Sequence, residues 1–188
     1  MKQSGDLRMD ADAFLDWAMD QPGRHELHDG VVVAMAPERV GHARAKLDAV
    51  LALRNGIAAA GLGCEALVDG VSVRVDGRTL YEPDALVRCG PKAPDDAVEI
   101  DDPVIVVEVL SPSARGVDTG AKLAGYFRLP SVRHYLILKP DLLQTGERSV
   151  IHHARDAAGE IATRILRAGA LRLGPPGIEL AVADLFPA

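Results

Sequence analysis

The sequence predicts a mixed α/β (α+β) fold, with a central mixed β-sheet flanked by helices. Three observations lead there. One strand–helix–strand unit runs from Val104 to Leu138, and such a unit is built as a parallel crossover. Asp29-Gly30 and Asp76-Gly77 stand between extended runs, which is the pattern of antiparallel hairpins. Two stretches carry apolar residues at helical spacing: Phe14, Leu15, Trp17 and Ala18 in the first, and Val40, Leu47, Val50, Leu51 and Ile57 in the second.

The elements follow in order. Asp10 caps a helix running to Met19, which Gln21-Pro22-Gly23 stops. His25 to His28 and Val31 to Met35 form the first hairpin. Pro37 and Glu38 open a second helix that reaches Ala60 and ends at Gly61. Leu67-Val68, Val71 to Val75 and Thr79 to Val87 read as strands. Gly90 to Asp102 is acidic, holds Pro91 and Pro94, and reads as a surface loop. Val104 to Leu110 is a strand, Asp118 to Phe127 a helix and His134 to Leu138 a strand. Ser149 to His153 and Ile161 to Leu166 close as a hairpin through Asp156-Ala157-Ala158-Gly159.

The 188 residues fit a single domain over 1–188, with residues 1–8 expected to be disordered. Hydrophobic residues make up 48% and charged residues 26%, enough for a sizeable core, which at 4% aromatic content must be mostly aliphatic. A net charge of −6 argues against a strongly basic surface that coats nucleic acid non-specifically, and leaves room for a local basic cleft. No apolar run is long enough to span a membrane, and the first residues lack the apolar segment of a signal peptide. A cytoplasmic protein is expected. Cys64 and Cys89 are too few for a disulfide framework and lack metal-ligand spacing, so they read as two ordinary thiols.

Glu108 is the most informative residue. It interrupts Val104-Ile105-Val106-Val107-Glu108-Val109-Leu110, a run otherwise aliphatic and read as buried on both faces. A carboxylate there must be protonated, paired with a cation or bound to a metal. Asp84 follows Pro83 on another apolar run, where proline marks an edge or a bulge able to re-aim the next side chain. If the two acids meet, a hard divalent cation resolves their repulsion, and the Val109 carbonyl offers one more oxygen. Lys122 lies on the next helix, four residues after Asp118. That spacing fits a surface ion pair. It also fits a lysine pointing back at Glu108.

Pro83-Asp84, Glu108-Val109-Leu110-Ser111-Pro112-Ser113, Asp118, Lys122 and Tyr126 together resemble the PD-(D/E)XK nuclease superfamily. More narrowly, they resemble its bacterial restriction-endonuclease-like branch, a domain of unknown function. Glu26 to Gly30 and His42 match that branch too. The resemblance covers Phe14 to Phe186 and implies a restriction-endonuclease-like core. It implies Asp84 and Glu108 as metal ligands for Mg2+ or Mn2+, Lys122 as the catalytic lysine, and DNA as substrate. The superfamily's lysine stands two residues after the glutamate, where this chain has Leu110. Here its counterpart has moved to the following helix. Glu26, His42 and Asp118 are secondary candidates, with His42 equally readable as a helix-start histidine bonded to backbone. The resemblance also suggests a homodimer, with the apolar C-terminal strands as interface. A catalytically inactive nuclease-fold module acting in dimerisation or partner binding is the competing expectation. His152-His153 reads as strand filling, its rings on opposite faces. Arg39, Arg44, Lys46 and Arg54 read as a solvated helix face.

Overall fold

The computed structural model describes residues 7–110, 116–140 and 147–186, with 116–119 described by backbone only. Residues 1–6, Ser111 to Ser113 and the Asp118 side chain lie outside the described residues. The fold is α+β, with three sheets, three α-helices and a 3-10 helix (Val182–Leu185) among the described residues. Leu7 and Arg8 are already tied down: the Leu7 carbonyl accepts from Val32 N at 3.0 Å and Arg8 bridges Val31.

Helix α1 (Ala11–Met19) starts where Asp10 accepts a hydrogen bond from Ala13 N at 2.9 Å. Its Phe14 packs on Leu27, Val32 and Leu80 of the first sheet. That sheet is ordered β2-β1-β5-β4-β7, from β1 (His25–His28), β2 (Val31–Ala34), β4 (Ser72–Asp76), β5 (Thr79–Tyr81) and β7 (Glu99–Ile100). Asp29 and Gly30 take positive φ of 48° and 79°, as a two-residue hairpin turn requires. The loop expected over Gly90 to Asp102 contains β7, which pairs parallel with β4. Two residues are too few to show a period in sequence.

The second sheet is ordered β11-β10-β9-β8-β6-β3. It comprises β3 (Cys64–Val68), β6 (Ala85–Cys89), β8 (Ile105–Val109), β9 (His134–Lys139), β10 (Ser149–Arg155) and β11 (Ile161–Leu166). β8 and β9 are parallel, as expected, and the other pairings are antiparallel. Helix α2 (Val40–Ala59) covers one face: Ala49, Leu53 and Ile57 pack with Val87, Val107, Leu136 and Leu138. Helix α3 (Gly116–Tyr126) covers the other, where Tyr126 and Phe127 pack with Leu86, Val106, Tyr135 and Ile137. The strand expected over Thr79 to Val87 is two strands. The chain leaves the first sheet at Tyr81, passes through Glu82-Pro83-Asp84 and joins the second at Ala85. Proline cannot donate to a ladder, so the break falls there.

A third, two-stranded sheet, β12 (Ala170–Leu173) with β13 (Ile178–Ala181), buries Leu171, Leu173, Ile178 and Leu180 in the α2 core. A Cβ on Gly56 of α2 would sit 2.5 Å from Ile178 Cγ2, so the hairpin approaches the helix because a glycine stands there.

Cys64 and Cys89 are not free thiols. They face each other across β3 and β6, with Cα atoms 3.9 Å apart, and form a disulfide. Sequence could not pair them, because the pairing depends on strand register. The bridge closes a loop of sequence separation 25, and a loop of that size restricts the unfolded chain by about 2–4 kcal/mol. Dithiothreitol is therefore expected to lower the urea midpoint of this protein, while the Cys64→Ser/Cys89→Ser variant should be insensitive to it.

His152 and His153 point to opposite faces. His153 stacks on Tyr135 and its Nδ1 lies 2.8 Å from Thr163 Oγ1. His152 Nε2 lies 2.9 Å from His134 Nδ1, and His134 Nε2 donates to the Pro175 carbonyl at 2.9 Å. Burial, with His134, Arg164 and His153 close by, pushes His152 down to about 4 from 6.5. The unfolded chain then binds a proton that the folded one refuses. The contribution of this group to stability is complete above pH 6.5 and is lost as pH falls toward 4. Measured against His152→Leu at each pH, the thermal midpoint of the wild type is expected to fall by roughly 5 °C between pH 7 and 5.

Candidate functional site

The site lies where the two large sheets diverge. Along β8, Ile105, Val107 and Val109 face α2, so Val106 and Glu108 face α3. Glu108 is opposite Ile137 in the register and its side chain is 14% exposed. α3 presents Lys122 and Tyr126 one turn apart. Lys122 Nζ donates to Glu108 Oε1 at 3.0 Å, and Tyr126 OH donates to the same oxygen at 2.9 Å. Lys122 also donates to Glu26 Oε1 of β1 at 2.8 Å. The same Glu26 oxygen accepts from Glu82 N at 2.8 Å, while its Oε2 faces His28 Nε2 at 2.8 Å. The Tyr81 ring lies beneath the ammonium, 5.7 Å from ring centre to Nζ. A Cβ on Gly125 would meet that ring at 2.5 Å, so the glycine lets α3 close over it.

Asp84 stands one step beyond the last β6–β8 pair, Ala85 with Val107, and therefore opposite Glu108. Its Oδ2 accepts from Val109 N at 2.6 Å. From the first turn of α2, His42 brings Nε2 to 2.7 Å from the Val109 carbonyl and 3.5 Å from Asp84 Oδ2. Its Nδ1 lies 2.6 Å from Glu38 Oε1. His42 is thus a helix-start histidine bonded to backbone, and the carbonyl that it meets is that of Val109. One turn on, Lys46 bridges Glu38 and Asp69 and comes within 3.8 Å of Asp84 Oδ1. Arg24 joins Asp69 at 2.5 Å to Glu82 at 2.6 Å.

The structure thus brings Asp84, Glu108, Val109, Lys122, Glu26 and His42 into one continuous network. Sequence reasoning missed Arg24, His28, Glu38, Lys46, Asp69 and Glu82. Lys46 is a correction: placed on a solvated helix face, it is 3% exposed and points into the site. The i, i+4 series Glu38, His42, Lys46 was the available signal.

The electrostatics follow from burial among like charges. Burial, then Asp84 and Glu26, push Glu108 up to about 7 against the pull of Lys122. Burial likewise raises Asp84. It would raise Glu26 as well, but hydrogen bonds from His28 and Lys122 outweigh it and bring Glu26 down to about 2. Burial works against the Lys122 ammonium, yet Glu108 and Glu26 hold its pKa well above the usual lysine range. The network contains six carboxylates (Glu26, Glu38, Asp69, Glu82, Asp84 and Glu108) against three full cations, Arg24, Lys46 and Lys122. An excess of carboxylates over cations, with Glu26, Glu82 and Asp84 buried among them, suits a hard divalent cation. Glu38, His42 and Asp84 also bring one ligand atom each within 4.8 Å of the others.

Comparison with known proteins agrees with this architecture. A crystal structure titled as a "putative nuclease belonging to DUF820", from Anabaena variabilis ATCC 29413, superposes with a TM-score of 0.70 at 14% identity. It covers 95% of this chain and 97% of its own. The uncharacterized protein slr1290 of Synechocystis sp. (strain ATCC 27184 / PCC 6803 / Kazusa) is 26% identical over 180 residues, spanning 95% of this chain and 92% of the relative. The family model described as "Uma2: Putative restriction endonuclease" matches residues 11–183, and the chain belongs to that family.

Proposed function

We propose that this protein is a divalent-metal-dependent nuclease that hydrolyses phosphodiester bonds in DNA. The convergence of Asp84, Glu108 and Lys122, from three elements distant in sequence, carries the reading. Asp84, Glu108 and the Val109 carbonyl would hold Mg2+ or Mn2+. A bound ion supplies an acidified water and neutralises charge building on the scissile phosphate. Lys122, kept charged by Glu26, positions that water or a phosphate oxygen. Tyr126 fixes the Glu108 carboxylate. His28 and Glu82 N fix Glu26. The test is cleavage of plasmid and single-stranded DNA with Mg2+ or Mn2+, comparing wild type with Lys122→Ala. Cleavage lost in the variant supports the assignment, and equal cleavage in both sinks it.

One observation favours the second reading, a nuclease-fold module without catalysis: Lys122 is engaged by two carboxylates at once and stands on a helix, not two residues after Glu108. Calorimetry separates the two readings, since no heat at millimolar Mg2+ or Mn2+ leaves only the module. Under either reading we place a homodimer contact at β11, an edge strand with Ile161 46% and Ile165 58% exposed. Ile165→Lys is expected to shift the molar mass measured by light scattering from dimer to monomer.

A further inference from the structure

We propose that His42 is itself a ligand of the divalent ion, oriented by Glu38, and that it gives the site a preference for Mn2+ over Mg2+. This rests on the metal site proposed above and adds a nitrogen donor to its oxygen set. Three observations carry it.

The first is spacing. His42 Nε2, the Val109 carbonyl oxygen and Asp84 Oδ2 are three donors from α2, β8 and the seam before β6. Nε2 stands 2.7 Å from the carbonyl and 3.5 Å from the carboxylate. Neighbouring ligands around an ion with bonds near 2.1 Å stand roughly 3 Å apart. The imidazole therefore needs little displacement to share an ion with the other two.

The second is the partner on the far side of the ring. Glu38 Oε1 lies 2.6 Å from Nδ1. A metal-bound histidine commonly donates its other ring N–H to a carboxylate, and with Nδ1–H held by Glu38 the Nε2 proton that meets the Val109 carbonyl is the one given up when an ion binds. The Glu38 carboxylate is itself held by Lys46. Glu38 thus belongs behind the histidine and not in direct contact with the ion.

The third is exposure. The His42 side chain is 16% exposed and Asp84 8%, so an ion reaches the ring without the core opening. Imidazole favours first-row transition ions over Mg2+, which demands oxygen ligands and retains water.

Titration calorimetry of the full chain with MnCl2 and MgCl2 is expected to show Mn2+ binding at least roughly tenfold tighter. His42→Ala should remove that ratio by weakening Mn2+ roughly tenfold or more, with Mg2+ nearly unchanged. Glu38→Gln should weaken Mn2+ by roughly 10–100-fold, the range for a carboxylate behind a ligating histidine. Pulsed electron paramagnetic resonance of the Mn2+ complex should show nitrogen modulation from a bound imidazole, and His42→Ala should lack it. Mn2+ binding without nitrogen modulation, or modulation that persists in His42→Ala, overturns the ligand assignment and leaves the metal site standing. Absence of any Mn2+ binding to the wild type overturns the metal site and this inference with it.

Discussion

Asp84→Asn is expected to cost roughly 10²–10⁴-fold in DNA cleavage, the loss of several kcal/mol of charge stabilisation on the scissile phosphate. It should leave the metal-free fold intact. The Asn oxygen can still accept from Val109 N, which Asp84 engages at 2.6 Å. The variant removes one negative charge from a cluster in which carboxylates outnumber cations, and burial already raises the Asp84 pKa. In the presence of EDTA the thermal midpoint of Asp84→Asn should equal or exceed that of the wild type. In millimolar Mn2+ the order should invert, because only the wild type gains binding energy from the ion. A variant that loses stability with EDTA as much as with Mn2+ would make Asp84 a scaffold residue.

Lys122→Met is expected to have the largest effect on stability. It strands Glu26 and Glu108, whose side chains are 6% and 14% exposed, without their shared ammonium. Removing one partner of a buried ion pair costs about 3–5 kcal/mol, a fall of roughly 10 °C in thermal midpoint for a chain of this size. The loss should depend on pH. Burial holds Glu108 up to about 7 against an ordinary 4.5. With the folded value raised, this group's contribution to stability is complete below pH 4.5 and is lost as pH climbs through 7. Lys122 pulls the Glu108 pKa down, so without it the folded value rises further and the loss continues to higher pH, and the gap between variant and wild type should be wider at pH 8 than at pH 6. Lys122→Met/Glu108→Gln should recover part of the stability and none of the cleavage, a non-additivity expected of groups in contact.

Much of this was legible in the chain. The run Val104 to Leu110 identified a central strand because it is short, rich in Val and Ile and flanked by Pro103 and Pro112, as a strand covered on both faces is, and Glu108 stood out against it. Asp29-Gly30 announced its turn because few residue pairs tolerate positive φ twice. The parallel crossover of β8, α3 and β9 followed from element order alone. The rest depended on pairings that cross the chain. Lys46 looked like any helix-surface lysine until Asp69 and Glu38 were brought to it. Cys64 and Cys89 became partners only through the β3–β6 register. β12 and β13 bury alternate residues, but four-residue strands give too few alternations to distinguish from loop. Pro83 correctly marked an irregularity. That it would be the junction of two sheets could not be read locally, because the first sheet takes its neighbours from both ends of that segment.

The passage from β5 to β6 contains only Glu82, Pro83 and Asp84. It has no slack. Adding or deleting a single residue there would reverse the parity of β6, turning Ala85 and Val87 out of the α2 core and Asp84 away from Val109. Length variation among related chains is therefore expected to gather in the stretch from Gly90 to Val98, where no strand register is at stake, and to spare this three-residue bridge.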